Sequence, residues 1–173
     1  MRNVRSSTPG TRPKMTDDTR RMAFIDRYGG IYEHSPWVAE AVYDGGNADG
    51  DLAAELRACV DNATTEKKLA LIRAHPDLAG TAAVAGELSE SSTKEQASAR
   101  LDLCTAAEFE QFQSLNDAYH RKFGFPFVMA VRGSNRQEIL DAFAARLDND
   151  ADTEFATAIA EIHKIAQLRL DAL

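Results

Sequence analysis

The chain has 173 residues and a formal net charge of −7, with 20 Lys and Arg against 27 Asp and Glu. A chain of this length buries a full core without disulfides or a structural metal, and its acidic balance argues against nucleic acid, whose phosphates call for clustered Lys and Arg. No apolar run approaches the roughly 20 residues that span a bilayer, and the amino end lacks the hydrophobic stretch of a signal peptide, so a cytoplasmic protein with no membrane partner is expected.

Residues 1–16 are rich in Arg, Ser, Thr, Pro and Gly and nearly free of apolar side chains, which predicts a disordered tail ahead of one domain over 17–173. From Asp17, Met22, Phe24, Ile25 and Tyr28 outline a short amphipathic helix that Gly29-Gly30 stops. Ser35-Pro36 reads as N-cap and first residue of a helix through Tyr43, ended by Gly45-Gly46. Asn47 to Gly50 is a turn, after which Leu52, Leu56, Cys59 and Val60 recur at helical spacing from Asp51 to about Asn62. A further helix starts at Thr65, turns Leu69 and Ile72 inward and stops at His75, because Pro76 steers the preceding residue out of the α region.

Ser92-Thr93-Lys94-Glu95 has the S-x-x-E form of a capping box, predicting a helix with Ser92 as N-cap and Glu95 reaching back to it. Thr105-x-x-Glu108 repeats the form ahead of Phe109, Phe112, Leu115, Tyr119 and Phe123, and Gly124 ends that helix. Phe125 to Val131 is the one continuous apolar run, and Pro126 weighs against a central strand there. Ser134-x-x-Gln137 opens a helix carrying Ile139, Leu140, Phe143 and Leu147, and a last helix runs from about Asp152 to the end. The class is therefore all-α, a compact bundle of about seven to nine helices with one short extended apolar segment.

Cys59 and Cys104 fit no metal-ligand or C-x-x-C spacing and read as buried thiols of a reducing compartment. His34, His120 and His163 show no H-x-x-x-H or mixed Cys/His grouping, so no metal site is predicted. His75, at a helix end, either caps the last carbonyls or transfers protons near neutral pH. Glu95 either completes its capping box or stands beside the imidazole. Arg169 shares the stripe of Ile162, Ile165 and Ala166, and either snorkels at the helix end or points a guanidinium fork into a pocket. Arg132 offers the same chemistry, but Gly133 and Ser134 after it suggest a turn to solvent.

Five stretches taken together, RYGGIYEHSPWVAE (27–40), HPDLAG (75–80), SSTKEQ (91–96), LNDAYHRKFGFPFVMAVRG (115–133) and EIHKIAQLRL (161–170), resemble the OHCU decarboxylase family in the family's order, from about Asp18 to Leu170. That family removes carbon dioxide from 2-oxo-4-hydroxy-4-carboxy-5-ureidoimidazoline (OHCU), the last step from urate to S-allantoin. The resemblance implies an all-α bundle, usually a homodimer, that takes OHCU as its small-molecule partner and uses no metal or organic cofactor. By position, His75 and Glu95 correspond to the essential pair. Pro76, Ser92 and Gln96 correspond to pocket contacts, and Phe127, Val128, Met129, Ala130 and Val131 to a backbone segment bordering the ligand. Arg169 corresponds to the arginine that holds a carboxylate or polar edge of the substrate. The expected chemistry has the substrate's own ring nitrogen accept the electron pair, with His75 delivering a proton to one face. The competing expectation is a non-catalytic helical module that binds a ligand or scaffolds a partner enzyme of urate breakdown.

Overall fold

Side chains at the starts of the helices define most of the architecture. The computed structural model describes residues 16–173 apart from 81, 82 and 84, and these form eight α-helices. They are α1 (Asp17–Tyr28), α2 (Trp37–Asp44), α3 (Leu52–Asp61), α4 (Thr65–Arg73), α5 (Glu90–Ser98), α6 (Ala106–Phe123), α7 (Arg136–Leu147) and α8 (Ala151–Leu170), with a 3-10 turn at Leu101–Leu103. Every helix but α2 begins with a side chain accepting from the backbone N–H three residues on: Thr16, Asp51, Thr64, Ser89, Thr105, Asn135 and Asp150. Each such cap satisfies an otherwise orphaned donor and contributes about 1 kcal/mol.

Four starts differ from the sequence expectation. Helix α2 begins at Trp37 with Pro36 in the N-cap position and no side-chain cap bond, so Ser35 does not take the cap expected of it. Thr16, assigned to the tail, caps α1, while the rest of the expected tail lies outside the described residues. The α7 cap is Asn135, not Ser134, because Glu138 returns the bond to the Asn135 N–H at 2.9 Å and closes a full capping box. The α5 cap is Ser89, whose Oγ accepts from the Ser92 N–H at 3.1 Å. Starting one turn earlier puts Ser92, Glu95 and Gln96 on one inward face at i, i+3 and i+4 spacing, so Glu95 is not a capping residue.

Among the described residues no strand forms, and Phe125 to Val131 is a buried or half-buried connection between α6 and α7. Helix α8, 20 residues and so about 30 Å long, lies at the centre against α3 and α4. Its buried side includes Ala158, Ile159, Ile162, Ile165 and Ala166. No helix among the described residues is long and apolar enough to cross a membrane. Cys59 and Cys104 are free thiols and only half-buried, less enclosed than expected.

One buried polar cluster fixes the extended segment. Glu154, wholly buried, accepts from Arg146 Nε at 2.8 Å, from Asn149 at 2.8 Å, from a second Arg146 nitrogen and from the Tyr119 hydroxyl. Arg146 also donates to the Val128 carbonyl at 2.7 Å and lies over the Phe127 ring, 4.3 Å from its centroid. Phe127 in turn stacks on Phe143 with centroids 3.8 Å apart. Removing one member of such a buried pair leaves the other charge uncompensated. Arg146→Ala is therefore expected to cost about 3–5 kcal/mol of stability in urea unfolding, and a loss within the range of an ordinary surface substitution would contradict the cluster's role.

Candidate active site

His75 follows the end of α4 and is buried. Its Nδ1 lies 2.9 Å from the Leu71 carbonyl. A carbonyl only accepts, so Nδ1 carries the hydrogen and Nε2 is left with its lone pair. Burial pushes the imidazole pKa down to about 4, with the Leu71 bond and the Glu33 charge pulling the other way. The ring is thus neutral at pH 7, capping a helix end and presenting a proton acceptor at once.

The loop after His75 is clamped from two helices. Gln96 accepts from the Ala79 N–H at 3.0 Å and donates to the Asp77 carbonyl at 3.2 Å. From α6, Asn116 donates to the Leu78 carbonyl, Gln113 to the Ala79 carbonyl, and His120 lies 2.8 Å from the Asp77 carboxylate. The clamp holds Ala79 at φ +47, a left-handed conformation that non-glycine residues rarely adopt. A Cβ on Gly80 would sit 2.8 Å from that of Asp77, which explains the glycine of HPDLAG.

Glu95, a turn into α5, faces Arg169 instead of the imidazole. Arg169 Nε and a terminal nitrogen meet its two carboxylate oxygens at 2.7 and 2.9 Å, a bidentate fork. The same guanidinium pairs with Glu33 at 2.8 Å and donates to the Gly30 and Ile31 carbonyls. Ser92 Oγ, buried beside it, lies 3.5 Å from the guanidinium. Arg169 is therefore committed to protein partners and is buried to 6% exposure. Burial opposes its charge, but Glu95 and Glu33 outweigh that and raise its pKa. Burial likewise opposes ionisation of Glu33, yet the Ser89 hydroxyl and Arg169 hold its carboxyl below the ordinary range.

The cleft between these elements is narrow, and its lining includes His75, Pro76, Ser92, Glu95, Gln96 and Phe127 to Val131. Arg169 stands behind Glu95 and lines an adjoining hollow. Along the extended segment Val128 C=O turns to Arg146 and Ala130 N–H to Glu161 at 2.9 Å. The N–H groups of Phe127, Met129 and Val131 meet no acceptor among the described residues.

Glu33 is the residue that sequence reasoning missed. It is 2% exposed and one of its oxygens has no partner among the described residues. Its only signal was its place within the stretch RYGGIYEHSPWVAE, one of the five that carry the family resemblance. The remaining histidines have structural settings. His163 bridges the Tyr32 hydroxyl at 2.9 Å and Asp61 at 3.0 Å, and His34 lies 3.6 Å from Glu33. No cluster of three or more potential metal ligands occurs among the described residues.

Comparison with known proteins adds a second line. The model of the family described as OHCU decarboxylase matches residues 17–171. The chain belongs to the OHCU decarboxylase family. It is 43% identical over 159 residues to the 2-oxo-4-hydroxy-4-carboxy-5-ureidoimidazoline decarboxylase of Haloferax volcanii, covering 91% of this chain and 90% of that protein. Identity to the protein of the same name from Halalkalicoccus jeotgali is 42% over 153 residues, 87% of this chain and 84% of that one. The crystal structure of (S)-allantoin synthase superposes with a TM-score of 0.70 at 34% identity, over 90% of this chain and 51% of that chain.

For this member of the OHCU decarboxylase family the ion cluster generates a stability prediction. Arg169→Met would leave the buried Glu33 and the half-buried Glu95 without a cation and is expected to cost about 3–5 kcal/mol near pH 7.5. In the parent chain the lowered Glu33 pKa gives stability that is full at neutral pH and lost as pH falls through the carboxylate range. Without Arg169, burial raises the carboxyl pKa values and the sign reverses. The gap in urea midpoint between variant and parent should therefore narrow at about pH 5, and a gap that widens there contradicts the assignment.

Proposed function

We propose that this chain converts OHCU into (S)-allantoin and carbon dioxide, with His75 and Glu95 as the reacting groups. The observation that supports this most is the neutral imidazole with a free Nε2 in the same cleft as a carboxylate held in a bidentate fork, on two of the motifs that carry the family resemblance.

The substrate's name fixes its connectivity: one ring carbon carries both hydroxyl and carboxylate, and the neighbouring carbon carries the ureido group and the ring's double bond to nitrogen. When the bond to the carboxylate breaks, its electron pair forms a double bond between the two ring carbons. The former carbon–nitrogen π pair moves to nitrogen, which takes up a proton. The enol so formed loses its hydroxyl proton, and the ureido-bearing carbon gains one, giving allantoin. One proton is consumed per carboxylate lost. A neutral His75 suits the second half: Nε2 takes the hydroxyl proton and returns a proton to carbon on one face, which sets the S configuration. In this reading His75 delivers the proton it has first taken up, since its resting hydrogen is held by Leu71.

Glu95, immobilised by Arg169, engages the substrate hydroxyl or ring N–H in this reading, and the N–H groups of Met129 and Val131 orient a ring oxygen. Arg169 then acts by holding Glu95. Ser92 and Pro76 shape the wall, and Gln96 acts through the His75 loop. On the family resemblance we also infer a homodimer in the cytoplasm, with residues 17–173 as one domain.

The test generates OHCU in place from urate with uricase and hydroxyisourate hydrolase and follows circular dichroism. A fast S-allantoin signal that Glu95→Gln reduces at least about a hundredfold and His75→Ala abolishes is expected. A slow racemic product equal to the spontaneous reaction would sink the reading. Melting of Glu95→Gln should change little, because Arg169 keeps Glu33 as its counter-charge. With the His75 pKa near 4, kcat/KM should show no acid limb at the ordinary histidine value of about 6.5.

A further inference from the structure

The charges around the cleft leave one recognition task unassigned. Glu33, Glu95 and Arg169 sum to −1 and His75 is neutral. An anionic substrate entering such a site is repelled unless a cation faces it. Arg169 offers nothing further, since Nε and both terminal nitrogens already meet Glu95, Glu33 and two backbone carbonyls.

Arg132 is differently placed. It lines the same cleft as His75 and Glu95, and it also lines the adjoining hollow beside Arg27 and Lys94. It stands on the turn closed by Ser134 N–H to Val131 C=O at 3.0 Å, where Gly133 takes φ +87. Its side chain is exposed, its one hydrogen bond is a long 3.5 Å contact to the Leu168 carbonyl, and it makes no ion pair among the described residues. The turn to solvent expected from Gly133 and Ser134 thus leaves a guanidinium fork uncommitted at the cleft mouth.

We propose that Arg132, rather than Arg169, recognises the carboxylate that the reaction expels; this rests on the decarboxylation reading above. The two parallel N–H donors of a guanidinium match a carboxylate's two oxygens. The carboxylate carries its charge from encounter into the transition state for bond breaking and loses it only as neutral carbon dioxide departs, so the contact is made about equally in both states. Arg132 is accordingly a specificity residue that lowers KM without raising kcat. The product has no carboxylate and lacks this contact.

The experiment compares Arg132→Ala, Arg132→Lys and the remote surface change Arg121→Ala in steady-state kinetics with OHCU, with allantoin as inhibitor, over a salt series. Arg132→Ala should raise KM about ten- to a hundredfold, keep kcat within about twofold, leave allantoin inhibition unchanged and flatten the salt dependence of kcat/KM. Arg132→Lys should recover part of the loss, and Arg121→Ala, which removes the same charge elsewhere, should match the parent. An unchanged KM in Arg132→Ala, a fall in kcat instead, or equally weakened allantoin inhibition overturns the assignment while the decarboxylation reading stands. No turnover by the parent chain overturns both.

Discussion

A guanidinium buried near the carboxy terminus of the longest helix has to find compensating charge, and the rest of the site is arranged around how Arg169 finds it. Its partners come from the loop after α1 through Glu33 and from α5 through Glu95, 136 and 74 positions away in the chain. The cost of burying one cation is thereby converted into a constraint on three distant segments. Because the fork is bidentate on Glu95, that carboxylate loses its rotational freedom and presents fixed edges to the cleft. A carboxylate on an exposed helix face would have to be ordered by the substrate itself, at an entropic cost in every turnover.

The opposite wall uses the same device a second time. Glu154 is enclosed completely and collects Arg146, Tyr119 and Asn149, and Arg146 carries the constraint onward to the Val128 carbonyl. A connection between helices ordinarily keeps its backbone groups in water. This one runs beneath the surface because Arg146 and Glu161 satisfy one set of its groups, leaving the alternate N–H groups turned the other way. The stacked rings of Phe127 and Phe143 then hold the segment in register with α7.

Local rules made much of this legible in advance. The apolar spacing of Leu52, Leu56, Cys59 and Val60 and the capping box at Thr105 and Glu108 depend only on neighbours, and they mark elements that the structure contains. Gly124 ends α6 at φ +74 for the same reason. The site was legible differently, since the motif resemblance named its residues but could not say which touch. Ser92 and Glu95 satisfied the capping-box pattern by sequence, yet Ser89 took the cap. With three serines in four residues, the inward need of Arg169 decides the register, and no window along α5 contains that information. Glu33 was invisible for a related reason: its partner is 136 positions away, and nothing in its own neighbours marks it as buried.

Charge and protonation fit together across these clusters. Lowering the His75 pKa by burial would be a handicap for a resting acid, but the proposed enol step needs a base first and an acid only afterwards. The neighbouring cluster carries one net negative charge, which favours the imidazolium once it forms and so assists uptake of the hydroxyl proton without charging the ring beforehand. The Leu71 carbonyl keeps Nδ1 protonated in both states, so the proton enters and leaves through Nε2 alone. A ring that exchanges through one nitrogen, held at a helix end by a backbone carbonyl, can address only one face of a bound planar intermediate. In the proposed reaction, stereochemistry then follows from the same hydrogen bond that ends the helix.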